Sequence, residues 1–156
     1  MGVSGLLPFV ESSSQEVHVS DFKSVAIDAS CLIHRGGRAS ATDHLHGRPS
    51  NKWLGYPLRI VDAILHAGCQ PVVVFDGSPL PMKARTDAVR AAQRHAHRRT
   101  AVTLLQEGKA AEAEKEMAAA FEVTAEMRYT FIEALRARRV EYVVAPYEVS
   151  ARHSYL

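Results

Sequence analysis

The segment Pro-Val-Val-Val-Phe-Asp-Gly at residues 71–77 decides the fold of this chain. Its unbroken run of β-branched residues, with no polar alternation, is typical of a parallel strand that is covered on both faces. Two further segments have a similar character, Ser-Val-Ala-Ile-Asp at 24–28 and Val-Glu-Tyr-Val-Val-Ala at 140–145. Helical patterns separate the three segments. The order strand, helix, strand, helices, strand predicts an α/β domain with a parallel sheet.

The helical segments are recognised by the spacing of their apolar residues and by their end signals. In the first of them, Leu58, Val61 and Leu65 recur at helical spacing and Gly68 marks the end. The same reasoning predicts helices over residues 56–67, from 79 or 81 to about 108, and over 110–138. Residues 36–52 are rich in Gly, Ser, Arg and His, which favours a loop.

Length and composition limit the class of protein. The chain has 156 residues, enough for one domain at roughly 100–200 residues per domain. Apolar residues make up 47% and charged residues 23%, which excludes a disordered tail, a collagen-like repeat and a coiled coil. No apolar run approaches the roughly 18 residues needed to cross a bilayer, so no membrane partner is expected. Two cysteines, Cys31 and Cys69, form no disulfide framework, and a reducing compartment is expected.

Acidic residues follow all three predicted strands. Asp28 ends the first, Asp76 ends the second, and Glu148 comes three residues after the third. Ligands of open parallel sheets bind at the carboxyl ends of the strands, and Mg²⁺ prefers oxygen ligands. Each aspartate also has a local alternative, because Asp28 could cap the following helix and Asp76 could belong to a turn with Gly77. Three acids in register favour a metal site over these local roles.

A basic segment follows the second strand. Between residues 83 and 99 there are six Lys or Arg residues against one acid, Asp87, although the net charge of the whole chain is only +2. Helical spacing places four of these cations on one stripe: Lys83, Arg90, Arg94 and Arg98. Such a stripe is either a phosphate-binding surface or a solvated helix face.

Four motifs in order carry a resemblance to a known family. They are Met-Gly-Val-Ser-Gly-Leu-Leu-Pro at 1–8, Val-Ala-Ile-Asp-Ala-Ser at 25–30, Val-Val-Phe-Asp-Gly at 73–77 and Val-Ala-Pro-Tyr-Glu at 144–148. Together they resemble the N-terminal block of the flap-endonuclease/XPG nuclease superfamily. Within it, Ile-His-Arg-Gly at 33–36, Leu-Leu-Gln-Glu-Gly-Lys at 104–109 and the segment 143–148 are most similar to the exonuclease 1 branch. The resemblance implies a PIN-like nuclease domain over residues 1–156, with a helical arch at about 79–138.

The resemblance also implies an activity and its residues. The family removes 5′ flaps and degrades DNA in the 5′-to-3′ direction, using Mg²⁺, in repair and recombination in the nucleus. Its substrates are DNA molecules with 5′ ends, nicks or flaps. Carried onto this sequence, Asp28, Asp76 and Glu148 match metal-site acids, and Lys83 and Arg90 match basic residues that act on the scissile phosphate. Gly2 and His34 match positions that contact DNA, and the stripe adds Arg94 and Arg98 as DNA-binding residues.

The sequence departs from the family pattern near its carboxyl end. The second acid of the last motif is replaced by Ser150, and the chain reaches Leu156 before the family's next strand and its further pair of aspartates. We therefore expect an incomplete domain with one weak ion site, instead of two ions, and little nuclease activity from this chain alone. The alternative function is a non-catalytic DNA-binding fragment. A haloacid-type phosphatase is rejected, because it needs an aspartate at position 30, which is Ser30.

Overall fold

A parallel sheet of three strands forms the centre of the computed structural model, which describes residues 16–147. The strands are β1 (Ser24–Asp28), β2 (Gln70–Phe75) and β3 (Glu141–Val144), and β2 lies in the middle. Asp28 aligns with Val74, and Phe75 aligns with Val144. The predicted parallel α/β fold is confirmed, and each strand lies within one residue of its predicted bounds.

Six α-helices connect the strands: α1 (Ala29–Gly37), α2 (Ala41–Leu45), α3 (Gly55–His66), α4 (Ala84–Gln106), α5 (Ala110–Ala119) and α6 (Ala125–Ala137). Short 3-10 turns precede several of these helices, among them Pro81–Lys83, which leads directly into α4. The helix predicted at 56–67 is α3, and the basic segment is α4, as predicted. No helix within residues 16–147 has both the length and the apolarity that a membrane span requires.

The hydrophobic core lies between the sheet and the helices α1, α3 and α6. Its largest fully buried side chains include Trp53, Phe75 and Phe131, and the rings of Phe75 and Phe131 meet edge to face at 5.6 Å. Burying one such side chain contributes roughly 1.5–3 kcal/mol to folding. Phe75 is the last residue of β2, so this packing fixes the position of the strand end where Asp76 follows.

The prediction of a loop over residues 36–52 is wrong for most of that segment. Gly36 and Gly37 are the last residues of α1, and α2 follows after one 3-10 turn. Both glycines are buried and closely packed. A Cβ on Gly36 would collide with the carbonyl of Trp53, and one on Gly37 would collide with the ring of Phe121. Glycine serves close packing here, so its presence does not mark a loop.

The single helix predicted over residues 110–138 is also wrong, because α5 and α6 are separate helices. Thr124 begins α6 as its N-cap, and its hydroxyl oxygen accepts a hydrogen bond from the N–H of Met127 at 3.2 Å. Phe121 lies in the connection and is only 8% exposed. The Ala-rich pattern predicted helix throughout, but the cap and the buried ring interrupt it.

Candidate functional site

Two of the three strand-end acids lie at the carboxyl edge of the sheet. β1 ends at Asp28, and Asp76 comes directly after β2, so the parallel alignment brings both to one edge. Oδ1 of Asp28 accepts hydrogen bonds from the N–H groups of Ser30 at 2.7 Å and Cys31 at 3.2 Å. Asp28 therefore has the helix-capping role that was weighed as its local alternative. The third acid, Glu148, lies outside the described residues.

Ser30 connects these two acids. Its N–H binds Asp28, and its hydroxyl donates a hydrogen bond of 2.6 Å to Oδ2 of Asp76. One residue therefore lies between the two carboxylates and contacts both. This bridging role of Ser30 was not predicted from the sequence. A signal was present, because Ser30 stands two residues after a strand-end acid, at the start of a helix.

The turn after β2 is attached to the segment after β3. The N–H of Gly77 donates to the carbonyl of Tyr147 at 2.9 Å, and that of Ser78 to the carbonyl of Pro146 at 3.1 Å. A Cβ at Gly77 would collide with the carbonyl of Ala145, so this close approach requires glycine. The turn that carries Asp76 is thus bonded to the residues that immediately precede Glu148 in the chain.

The donor chemistry of this edge fits a hard divalent cation in type. Asp28 and Asp76 supply carboxylate oxygens, which Mg²⁺ prefers. Within residues 16–147, however, no group of three or more His, Cys, Asp or Glu side chains is placed to hold a metal ion. Only two of the three predicted ligands, Asp28 and Asp76, belong to the described residues. The assignment of all three acids as metal ligands stays a prediction.

The basic stripe begins in the 3-10 turn that precedes α4 and continues along that helix. Lys83 is the last residue of the 3-10 turn before α4 and is half-buried. Arg90 lies 3.9 Å from the carboxylate of Asp87, one turn earlier in the same helix. Arg94 and Arg98 both contact Glu122, at 2.9 and 3.5 Å. Two of the four cations are therefore paired with an acid from another part of the fold, which the sequence did not indicate.

A cavity of about 260 Å³ brings several predicted DNA-binding residues together. His34, Arg90 and Arg94 are among the residues that line it, and Phe121 forms part of its wall. His34 lies edge-on to the ring of Phe121 at 5.8 Å. A second cavity of about 410 Å³ is lined by Arg98, Glu122 and Phe121, with others. Gly2, the remaining predicted contact, lies outside the described residues.

The histidine at this cavity has an altered affinity for protons. Partial burial lowers the pKa of His34 below its ordinary value of 6.5, and the positive charges of Arg94 and Arg90 act in the same direction. The negative charge of Asp28 opposes them. His34 therefore lies within electrostatic range of both the basic helix and the acid at the end of β1.

Comparison with protein families identifies the class to which this protein belongs. Residues 1–97 match the model described as the XPG N-terminal domain, which is more than half of the chain. The chain belongs to the XPG family, as the sequence motifs predicted.

Individual relatives agree with this assignment. Exonuclease 1 of Xenopus laevis and exonuclease 1 of Danio rerio are each 35% identical to this chain over its whole length. The chain spans only 22% and 20% of those proteins, about a fifth of their length. Among solved structures, the catalytic core of Rad2 in complex with a DNA substrate is similar, with a TM-score of 0.67 and 22% identity. That match covers 97% of this chain and 39% of the Rad2 core, and it supports the fold.

Proposed function

We propose that this chain is the N-terminal part of a Mg²⁺-dependent, structure-specific nuclease that degrades DNA from 5′ ends and removes 5′ flaps. The observation that carries the proposal is the contact of Ser30 with both Asp28 and Asp76 at the carboxyl edge of the sheet. Membership of the XPG family supports it, as does the similarity to exonuclease 1. DNA repair and recombination in the nucleus are the corresponding biological setting.

In this proposal the acids hold the metal and are themselves oriented by the protein. Asp28, Asp76 and Glu148 would be the ligands, and a bound Mg²⁺ ion would supply an activated water and stabilise the leaving oxygen of a phosphodiester. Asp28 has one oxygen engaged in capping α1, which limits its rotation. The hydroxyl of Ser30 restricts the carboxylate of Asp76 in the same way. Such preorganisation reduces the cost of assembling a ligand set.

The basic stripe and nearby residues would position the DNA. Lys83 and Arg90 are proposed to act on the scissile phosphate, and Arg94, Arg98, Gly2 and His34 to bind the DNA around it. The shared cavity of His34, Arg90 and Arg94 supports a common binding surface for three of these residues. Guanidinium groups suit this role, because they bind phosphate oxygens in a bidentate manner and stay charged.

The residue at position 150 bears on how much catalysis this chain can perform alone. Ser150 stands where the family has an acid, and a hydroxyl is a poorer ligand for a hard dication than a carboxylate. We propose that the 156-residue chain binds one ion weakly and cleaves DNA slowly or not at all. Ser150 also favours the second candidate function, a DNA-binding fragment that does no chemistry.

The test combines three measurements on the purified chain. Binding of a labelled 5′-flap duplex is measured in EDTA by fluorescence anisotropy, with a blunt duplex for comparison. Cleavage of the same flap is measured with Mg²⁺. Binding of Mn²⁺, as a substitute for Mg²⁺, is followed by the electron paramagnetic resonance signal of the free ion. Asp76→Asn removes a proposed ligand, and Asp62→Asn is the matched control, since Asp62 pairs with Arg138 on the surface.

Each result has a defined meaning. Preferential flap binding together with Mn²⁺ binding that Asp76→Asn abolishes and Asp62→Asn retains supports the nuclease proposal. Flap binding with no Mn²⁺ site supports the non-catalytic fragment. Mg²⁺-dependent cleavage at the rate of a complete nuclease would overturn the expectation of weak activity. Absence of any preference for the flap would overturn the structure-specific nuclease, and absence of any DNA binding would overturn both functions.

A further inference from the structure

Glu122 bridges two arginines of the basic helix. Its Oε1 lies 2.9 Å from Nη2 of Arg94, and its Oε2 lies 3.5 Å from Nη2 of Arg98. Glu122 belongs to the connection between α5 and α6, 28 and 24 positions away from its partners. The contact is therefore tertiary, and it places one carboxylate against two successive turns of the stripe.

Two guanidinium groups that converge on one carboxylate have the arrangement that binds a phosphate. Carboxylate and phosphate oxygens accept the same charge-assisted hydrogen bonds from the edge of an arginine. The bridge is partly open to solvent, because the side chains of Glu122 and Arg98 are 46% and 43% exposed, while that of Arg94 is 25% exposed. Exposed ion pairs are weak and are screened by salt, so an incoming anion can replace the carboxylate at little cost.

The other acids near α4 do not have this relationship to the stripe. Asp87 lies in α4 itself and approaches only Arg90, at 3.9 Å. Glu116 contacts His97 at 2.6 Å, and His97 is not a member of the stripe. Among the contacts of the described residues, Glu122 is the acid that engages two stripe arginines.

The bridge also joins residues that line two different cavities. Arg94 lines the smaller cavity, Arg98 and Glu122 line the larger one, and the adjacent Phe121 lines both. Displacement of Glu122 would free Arg94 and Arg98 to extend the basic surface to which Arg90 belongs. Phosphates spaced along a nucleic-acid strand would then have several successive partners.

We infer that Arg94 and Arg98 form a binding site for a phosphodiester of DNA, and that Glu122 occupies this site in the free protein. DNA binding then requires the exchange of a carboxylate for a phosphate. Glu122 therefore lowers the affinity for DNA and reduces the number of DNA phosphates that the basic stripe binds. This inference rests on the proposed function, since it concerns the same basic surface.

The test compares two variants that each lose one acid paired with an arginine. Glu122→Gln keeps the shape of the side chain and removes its charge. Glu133→Gln is the control, because Glu133 pairs with Arg136 on α6, also at 2.9 Å. A third variant, Glu122→Asp, retains the charge. Affinity for a labelled 5′-flap oligonucleotide is measured by anisotropy over a series of NaCl concentrations, after thermal melts have shown that each variant is folded.

We expect Glu122→Gln to bind the flap about 3-fold to 10-fold more tightly than the parent chain at low salt. The slope of log affinity against log salt should become steeper by about one, which corresponds to roughly one more phosphate contact. Glu133→Gln and Glu122→Asp should resemble the parent.

Unchanged or weaker binding by Glu122→Gln would show that Glu122 supports the structure of the arch, and it would overturn the inference. The inference would also be overturned if inorganic phosphate, at equal ionic strength, competed better with the oligonucleotide in Glu122→Gln while the affinity for DNA did not rise. That result would assign the site to a free anion. If neither the parent nor Glu122→Gln binds DNA, the proposed function itself fails. If the parent binds DNA and Glu122→Gln binds it no more tightly, only the inference is contradicted and the proposed function stands.

Discussion

The hydroxyl of Ser30 donates a hydrogen bond of 2.6 Å to Oδ2 of Asp76, a residue 46 positions further along the chain. This bond joins the first turn of α1 to the turn after β2. The same serine donates its N–H to Asp28, so the orientation of both acids depends on one small side chain and its backbone. The carboxyl edge is thus organised by a residue that is not itself a strong metal ligand.

Removal of this hydroxyl is expected to affect both stability and metal binding. Ser30→Ala leaves a half-buried carboxylate without one of its donors, and such a bond to a charged group contributes roughly 1.5–3 kcal/mol. Urea unfolding should show a loss toward the lower end of that range, because the bond is only partly buried. The affinity for Mn²⁺ should also fall. Ser78→Ala, at the same edge, is the control, and equal effects of the two substitutions would contradict a specific role for Ser30.

Asp28 has two roles that substitution can separate. Asparagine caps a helix about as well as aspartate, but it carries no charge. Asp28→Asn should therefore keep the unfolding free energy within about 0.5 kcal/mol of the parent, while Mn²⁺ binding is lost. Asp28→Ala should lose Mn²⁺ binding and in addition about 1 kcal/mol of stability. The proposal for Asp28 as a ligand is wrong if Asp28→Asn binds Mn²⁺ as tightly as the parent chain.

The strands were predictable because their signal is local. A continuous run such as Val72-Val73-Val74 has few alternatives to a buried parallel strand, and all three strands were placed correctly. The acids at their ends followed from the same argument. The residues 36–52 and 110–138 were assigned wrongly, because composition does not reveal whether a glycine serves a turn or a close helix contact, or whether an Ala-rich helix is interrupted by a cap.

Long-range pairs limited the prediction of the site. Nothing in the spacing of Arg94 and Arg98 indicates that Glu122 will contact them, because the contact depends on how α4 packs against the connection between α5 and α6. The bond from Ser30 to Asp76 is of the same kind. Sequence patterns located the charged groups on the correct elements, and the tertiary fold decided how those groups pair.

The helix end at Gly36 offers a test of the packing that positions α1. A Cβ at this position would collide with the backbone carbonyl of Trp53, which cannot move aside as a flexible side chain does. Overpacking of this kind costs typically 1–3 kcal/mol, and alanine regains up to about 1 kcal/mol of helix propensity. Gly36→Ala should therefore lower the free energy of unfolding by about 1–2 kcal/mol in urea titrations.

The matched control for that substitution is Gly55→Ala. Gly55 begins α3, and an added Cβ there meets open space. The control should be neutral or stabilising by up to about 1 kcal/mol, because alanine restricts the unfolded chain. If Gly36→Ala were as stable as Gly55→Ala, the close approach of α1 to Trp53 would not be a constraint on the fold.

His34 should make the stability of the protein depend on pH. Its pKa in the folded state is lowered from 6.5, first by partial burial and then by the charge of Arg94. Between the lowered pKa and 6.5 the unfolded chain binds more protons than the folded one, so stability rises with pH through this interval. Below the folded pKa the stability lost through His34 reaches a constant value. Well above 6.5 the ring is uncharged in both states, and none of this stability is lost.

The substitution His34→Gln removes this titration. Urea unfolding of the parent and the variant at about pH 5 and about pH 7.5 should show a smaller stability difference between the two pH values in the variant. His46→Gln is the control, because His46 is an exposed histidine at the end of α2. An identical pH dependence in the parent and in His34→Gln would mean that the environment of Phe121 and Arg94 does not disfavour the charged ring. If the difference between the two proteins is found, the lowered pKa leaves the ring mostly uncharged at neutral pH. In the proposed contact with DNA, His34 would then act through shape and stacking and not through attraction to phosphate.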